Sequence, residues 1–210
     1  MWTKELFGTE KPIIALLHLD PLPGDPDFCG SLDTVIEHAS CDVKALQEGG
    51  VDGVLIANEF SFPMTYVSHT ETPMAMACVI GAIKKDIHVP FGTNVVMNPE
   101  ETIRMAKAVG ASFGRSAFAG AFTGTYGVHV NNFGENVRLK YALGIPEMKL
   151  LCKINPEGDV LLAEQSIEEI IDNVTLGDHV GAFCVSGPGA GQEASWDLLA
   201  HVCDLAKAKH

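Results

Sequence analysis

The chain has 210 residues, of which 47% are hydrophobic and 20% charged, and its formal net charge is -13. Length and apolar content suit one folded domain with a real core, and they exclude a disordered, collagen-like or coiled-coil chain. The excess of Asp and Glu excludes a general binder of nucleic acid or of anionic membrane.

Ile13 to Leu17 is a buried-strand run. Ser31 then offers an N-cap to a helix in which Leu32, Val35, Ile36, Ala39, Val43 and Leu46 recur at helical spacing until Gly49-Gly50 ends it. Val54 to Ala57 is the second strand. Thr72-Pro73 opens a helix running to about Lys85. Phe91 to Met97 is the third strand. Asn98-Pro99-Glu100-Glu101 reads as an Asn cap with Pro at the first helical position, and that helix ends at Gly110. A fourth strand covers about Ser112 to Ala117. A long loop, Phe118 to Phe133, leads to a helix over about Gly134 to Leu143. Met148 to Ile154 is the fifth strand, and Ser166-Ile167-Glu168-Glu169 is a capping box. Gly181 to Val185 is the sixth strand, followed by a helix over about Ser195 to Ala208.

Continuous apolar strands alternating with helices predict an α/β fold with a parallel sheet covered on both faces. The strands begin at intervals of roughly 34 residues, the spacing of a (β/α) TIM-type barrel. Six of its eight units are expected within residues 1–210, as one domain apparently lacking the last two. Strands one and six would then have free edges, covered by a partner subunit or left exposed, so a homo-oligomer is expected. The longest loops leave the C-terminal ends of strands, which is the rim where barrels carry their chemistry.

That rim gathers the candidate residues. His18 closes the first strand and can be an acid, a base or a ligand, or can pack beneath the loop Pro21-Leu22-Pro23-Gly24. Asn58 and Glu59 end the second strand, where a carboxylate serves as a base, a metal ligand or a loop cap. Asn94 lies in an apolar strand and must be hydrogen-bonded, to the barrel or to a ligand. Arg115, also in a buried strand, needs an anionic partner, either Glu59 or a ligand phosphate or carboxylate. Lys153 and Asn155 share one face of the fifth strand, with Cys152 on the other. A desolvated lysine can form a Schiff base or stabilise an enolate, unless its tip reaches solvent. Ser186, Gly187 and Gly189, in the loop Ser186 to Gly191, can present backbone N–H groups to an anion or simply form a tight turn. His69, His88, His129, His179 and His201 are expected at the surface, and of these His129 alone has a route to the rim, through its long loop.

The six cysteines show no metal-finger spacing and read as reduced thiols of a cytoplasmic protein. No apolar run reaches membrane-spanning length, so no membrane insertion is expected. No cofactor is required by these residues, although a divalent metal at His18 and Glu59 would make a hydrolase.

Together these residues resemble the BtpA family of TIM-barrel proteins. The resemblance is carried by His18-Leu19 with Pro21-Leu22-Pro23-Gly24, by Glu48-Gly49-Gly50-Val51-Asp52-Gly53, and by Asn58-Glu59. Gly92 with Asn94-Val95, Arg115, Gly120-Ala121 and Ser186-Gly187 extend it over nearly the whole chain. The segments Asn58 to Ser61 and Asn155 to Glu157 are closer to its SgcQ-like branch, found beside sugar-transport genes. The chain departs from the family at Gly114, where a β-branched residue is common, and at Ala190, where a threonine is common. The resemblance implies a barrel grouped with phosphate-binding barrels. The expected function is an enzyme of carbohydrate metabolism acting on a small anionic metabolite, sugar-derived or phosphorylated, as an isomerase or aldolase-type lyase. His18, Glu59 and Lys153 would be catalytic, and Asn58, Asn94, Arg115, Asn155, Ser186, Gly187 and Gly189 would bind substrate. The alternative is a non-catalytic factor of the photosystem I biogenesis type.

Overall fold

A computed structural model describes residues 1–66, 71–189 and 191–209. A short helix α1 (Trp2–Phe7) precedes β1 (Ile14–His18), α2 (Leu32–Glu48), β2 (Gly53–Ala57), α3 (Glu71–Ile83), β3 (Phe91–Asn94), α4 (Pro99–Val109) and β4 (Phe113–Ser116). An antiparallel pair, β5 (Gly120–Gly124) and β6 (Gly127–Asn131), comes next. It is followed by α5 (Phe133–Ala142), β7 (Lys149–Lys153), β8 (Val160–Leu161), α6 (Ile167–Val174), β9 (Val180–Cys184) and α7 (Trp196–Ala208).

Six strands pair in parallel in the order β1-β2-β3-β4-β7-β9. This is the predicted α/β architecture. Its outer face packs on the helices, with Leu17, Val54, Ile56 and Phe91 buried against Val35, Val43, Met76 and Ile80. Its inner face joins Leu55, Phe113 and Leu151, with Ile14, Ala182 and Cys184 beside them. Gly92 makes room for that layer, since a Cβ there would come within 2.3 Å of the Phe113 ring.

Helix α1 closes the N-terminal end of this layer. Phe7 meets Phe113 edge-on at 5.6 Å between centroids, and Trp2 Nε1 donates to the Gly181 carbonyl at 2.8 Å. Six residues are too few for a periodicity to show in sequence, so α1 depends on these distant contacts.

Three expectations are corrected. The segment from Phe118 to Phe133 is not a loop: it carries β5 and β6, and β8 adds to β5 to make a three-stranded antiparallel sheet. Its two-residue turn, Thr125-Tyr126, joins strands that alternate buried Phe122 and His129 with exposed Val128 and Val130. Asn98 does precede Pro99 at the start of α4, but its side chain forms no cap. It donates instead to the Thr65 and Val96 carbonyls, and the buried Thr102 hydroxyl accepts from Val95 N–H at 3.0 Å. That tight turn, with Met97 at φ 61, ends β3 at Asn94 rather than at Met97. Ser31 and Ser166 cap α2 and α6 as expected, the second as a full capping box.

Candidate functional site

Parallel register carries side chains of one parity to the inner face at the C-terminal end. His18, Ala57 and Asn94 form one row across β1, β2 and β3. Arg115 lies beside Asn94 on β4, and Lys153 pairs with Cys184 across β7 and β9. The sheet therefore brings His18, Asn94, Arg115 and Lys153 to one rim, with Glu59 two residues past the end of β2.

Asn94 is buried and clasps Arg115. With its amide turned to suit its neighbours, Nδ2 donates to the Arg115 carbonyl at 2.9 Å and Oδ1 accepts from an Arg115 Nη at 3.3 Å. The pairing of Arg115 with Glu59 does not form. Arg115 Nε, Glu59 Oε2 and His18 Nε2 are each buried without a hydrogen-bond partner among the described residues. The His18 ring meets Phe60 edge-on at 5.7 Å.

Lys153 pairs with Glu157, one turn further along the loop. Burial pushes the Glu157 carboxyl up, but the Lys153 ammonium, together with hydrogen bonds from the backbone and Ser186, outweighs it and holds the group below its ordinary range. Cys184 sits within reach of the same charges. Burial pushes its thiol up, while Arg115 and Lys153 pull the other way.

The remaining candidates brace the rim. Asn58 Oδ1 accepts from Val96 N–H at 2.8 Å, tying the β2 loop to the β3 loop. Asn155 Nδ2 donates to the Ser186 carbonyl at 2.7 Å, and Ser186 N–H returns a bond to Asn155 Oδ1 at 2.9 Å. This closes the β7 loop on the β9 loop. Gly187 packs against that loop's own return, since a Cβ there would lie 2.2 Å from the Gln192 carbonyl. Gly189 lines the cavity below. Ala190 and His69 lie outside the described residues.

A cavity of about 310 Å³ opens at this end. Glu59, Asn94, Lys153 and Gly189 stand in its wall, and Asn58, Asn155, His18 and Arg115 do not. The antiparallel sheet supplies much of the opposite wall, through Tyr126, His129 and Asn131, together with Asp159 from the loop before β8. His129 is only 8% exposed, stacked at 4.2 Å on Tyr66 and at 5.2 Å on Phe122. Its Nε2 lies 3.2 Å from Asp159 Oδ2, and the Tyr66 hydroxyl donates to Asp159 Oδ1 at 3.1 Å. Burial, reinforced by Asp159, pushes the Tyr66 phenol up to about 12. Burial also pulls the His129 imidazole below its ordinary 6.5, against the opposing pull of Asp159. The surface position expected of His129 is corrected: its hairpin folds the ring inward between Tyr66 and Phe122, although its route to the rim holds. Sequence reasoning did not find Asp159 or Tyr66, because neither stands in a motif and they meet only through the unforeseen hairpin.

Among the described residues no group of three or more His, Cys, Asp or Glu side chains is placed to hold a metal ion, and no helix is long and apolar enough to cross a membrane.

A parallel sheet with inward polar residues at its C-terminal rim defines a TIM-barrel type of α/β protein. Known structures agree on the fold. The dihydropteroate synthase of Xanthomonas albilineans in complex with 7,8-dihydropteroate superposes with a TM-score of 0.61 at 17% identity, over 95% of this chain and 70% of that one. The BtpA family model matches residues 9–210, and the chain belongs to the BtpA family. It is 43% identical over 203 residues to the putative sgc region protein SgcQ of Escherichia coli, covering 96% of this chain and 76% of that protein. It is 32% identical over 143 residues to the photosystem I biogenesis protein BtpA of Synechocystis, covering 66% of this chain and 50% of that protein.

Proposed function

We propose that this chain is an enzyme that acts on a small anionic metabolite, sugar-derived or phosphorylated, at the C-terminal mouth of the sheet. The reaction class we assign is isomerisation or aldolase-type cleavage. One observation carries the reading: His18 Nε2, Glu59 Oε2 and Arg115 Nε are buried and unpartnered at one rim. Buried polar atoms are nearly always paired, so these orphans ask for a polar partner, and one of them, Glu59, stands in the cavity wall while His18 and Arg115 lie outside it. Lys153 supplies positive charge for an anion in the cavity wall, and Arg115, outside that wall and held by Asn94, adds its charge from the same rim. Glu59, in the wall, moves protons on substrate oxygens, with His18 at the same rim outside the wall. The dihydropteroate synthase likeness supports the scaffold and says nothing of the substrate.

The test is thermal shift with inorganic phosphate and a panel of sugar phosphates. Wild type is expected to be stabilised and Arg115→Ala is not. Equal shifts in the two proteins would remove the arginine's role.

A second reading, a non-catalytic assembly factor, draws on one different feature. The outer face of the three-stranded sheet exposes Val128, Val130, Val160 and Leu162, each more than half accessible. Contiguous apolar surface of this kind marks contact sites on proteins. On this reading no small anion stabilises the protein, and Val130→Lys abolishes any complex it forms on a native gel.

A further inference from the structure

We propose that His129 is the carbon base of this site: its Nδ1 removes a proton from the carbon beside a substrate carbonyl, with Asp159 and Tyr66 as positioning residues behind it. The inference rests on the reading of the cavity as an anionic-metabolite site, and it names the group that performs the chemistry.

The geometry is that of a base with an orienter. Tyr66 lies parallel to the imidazole, 7° from coplanar, and Phe122 covers the other face. The ring is therefore fixed in its plane. Asp159 is a carboxylate buried to 6% side-chain exposure and set against Nε2. An ionised carboxylate accepts, so Nε2 carries the hydrogen and Nδ1 keeps its lone pair. The Asp159 oxygen away from the ring is occupied by the Tyr66 hydroxyl, so the carboxylate cannot turn freely. Nδ1 meets Asn131 Nδ2 at 3.2 Å, and both His129 and Asn131 stand in the cavity wall. A substrate that displaces this amide places its C–H on the lone pair.

The fold keeps space for this chain of groups. Gly124 closes β5, and a Cβ there would lie 2.1 Å from Asp159 Oδ1. The hairpin accommodates a buried carboxylate at that point, although an apolar pair would stabilise it with no desolvation cost. The arrangement of nucleophile or base, imidazole and buried carboxylate follows the logic by which a carboxylate orients and stabilises an imidazolium.

The step balances without a co-reactant. The C–H proton passes to Nδ1, and its electron pair forms the C=C bond of an enediolate. The carbonyl oxygen takes the negative charge, and the Lys153 ammonium in the facing wall offsets it. Glu59, in the cavity wall, carries the proton of the adjacent hydroxyl to the former carbonyl oxygen, so that the new C=O forms as the imidazolium returns its proton to the former carbonyl carbon, and an aldose–ketose interconversion is complete.

The test uses the whole chain in D2O with aldose and ketose phosphates of three to six carbons. Proton NMR follows loss of the C–H beside the carbonyl, and thermal shift follows binding of the same compounds. At least one compound is expected both to bind and to exchange. His129→Gln keeps the thermal shift and slows exchange by about 100-fold or more. Asp159→Asn keeps binding and also slows exchange, and it decides the matter if the first variant fails to fold. Wild-type exchange rises with pH as the imidazole loses its proton. The titratable groups against the ring are Asp159 and Tyr66, Tyr126 shares its wall, and Glu59, Lys153 and Glu157 also line the cavity. Unchanged exchange in His129→Gln, or in Asp159→Asn where only that variant folds, overturns the proposal. A compound that binds wild type without exchange also overturns it, and leaves the anion site standing. If nothing binds, both readings fall together.

Discussion

β2 and β9 are built from equally apolar residues and end in different surroundings. β2, Gly-Val-Leu-Ile-Ala, is buried at all five positions, and β9, Val-Gly-Ala-Phe-Cys, at none. β2 lies between two strands, while β9 pairs with β7 alone among the described residues. The helices repeat the contrast: α3 buries Ala75, Met76, Val79, Ile80 and Ile83, and α7 buries only Val202. At the other margin Leu16 of β1 stands on the inner face and is still 43% exposed. A strand's composition thus states its suitability for burial, and its neighbours decide how much burial it gets.

The contrast can be broken most directly by truncating one side chain in each region. Ile56→Ala is expected to cost about 4 kcal/mol, because Ile56 is fully buried between the sheet and its helices. Val202→Ala removes fewer carbons from a looser cluster and is expected to cost about 1.5 kcal/mol. Urea denaturation measures both, and equal losses would show that the β9 region is as tightly packed as the β2 region. Hydrogen exchange sharpens the same point with a smaller effect. Amides of β9 and α7 should exchange through local opening while those of β2 wait for global unfolding. Matching protection in β2 and β9 would remove the distinction.

The strand order follows from features that a sequence displays. Runs such as Val54 to Ala57 need neighbours on both sides, and caps such as Ser31 and Ser166 mark where helices begin. The placement of the rim residues could be read too, because strand alternation carries polar residues of one parity to the C-terminal tips, whether they brace loops, as Asn58 and Asn155 do, or face the cavity. The hairpin β5–β6 could not. It has neither Asn-Gly nor Asp-Gly at its turn, and glycines at 120, 124 and 127 made it look like a loop. Those glycines have spatial causes: a Cβ at Gly124 would strike Asp159, which lies 35 positions later in the chain. The Tyr66–Asp159–His129 chain was hidden for the same reason, since its members come from three separate segments and carry no local signal. Asn98 misled in the opposite direction, with a cap signature whose amide serves the neighbouring loop instead.

The smallest expected effects are electrostatic, and they fall in the half of the molecule that holds the cavity. His129 and Glu157 both have folded values depressed from their ordinary 6.5 and 4.5. For each, the unfolded chain binds protons at a pH where the folded chain does not, so stability falls as the solution is acidified. The His129 contribution is complete above pH 6.5 and is lost as pH falls through its folded value. The Glu157 contribution is complete above pH 4.5 and is lost further down. Glu157 remains about a third exposed, so solvent screens its pairing with Lys153 and its share is the lesser one. Urea midpoints measured from pH 8 downward should therefore drop first in a window that His129→Gln abolishes, and then in a second window that Glu157→Gln abolishes. A His129→Gln profile parallel to wild type as the pH falls below 6.5 would mean that the imidazole is not held neutral by its burial. The stacked ring would then be an ordinary surface histidine, and the contrast between a packed β2 wall and a functional hairpin wall would lose its chemical half.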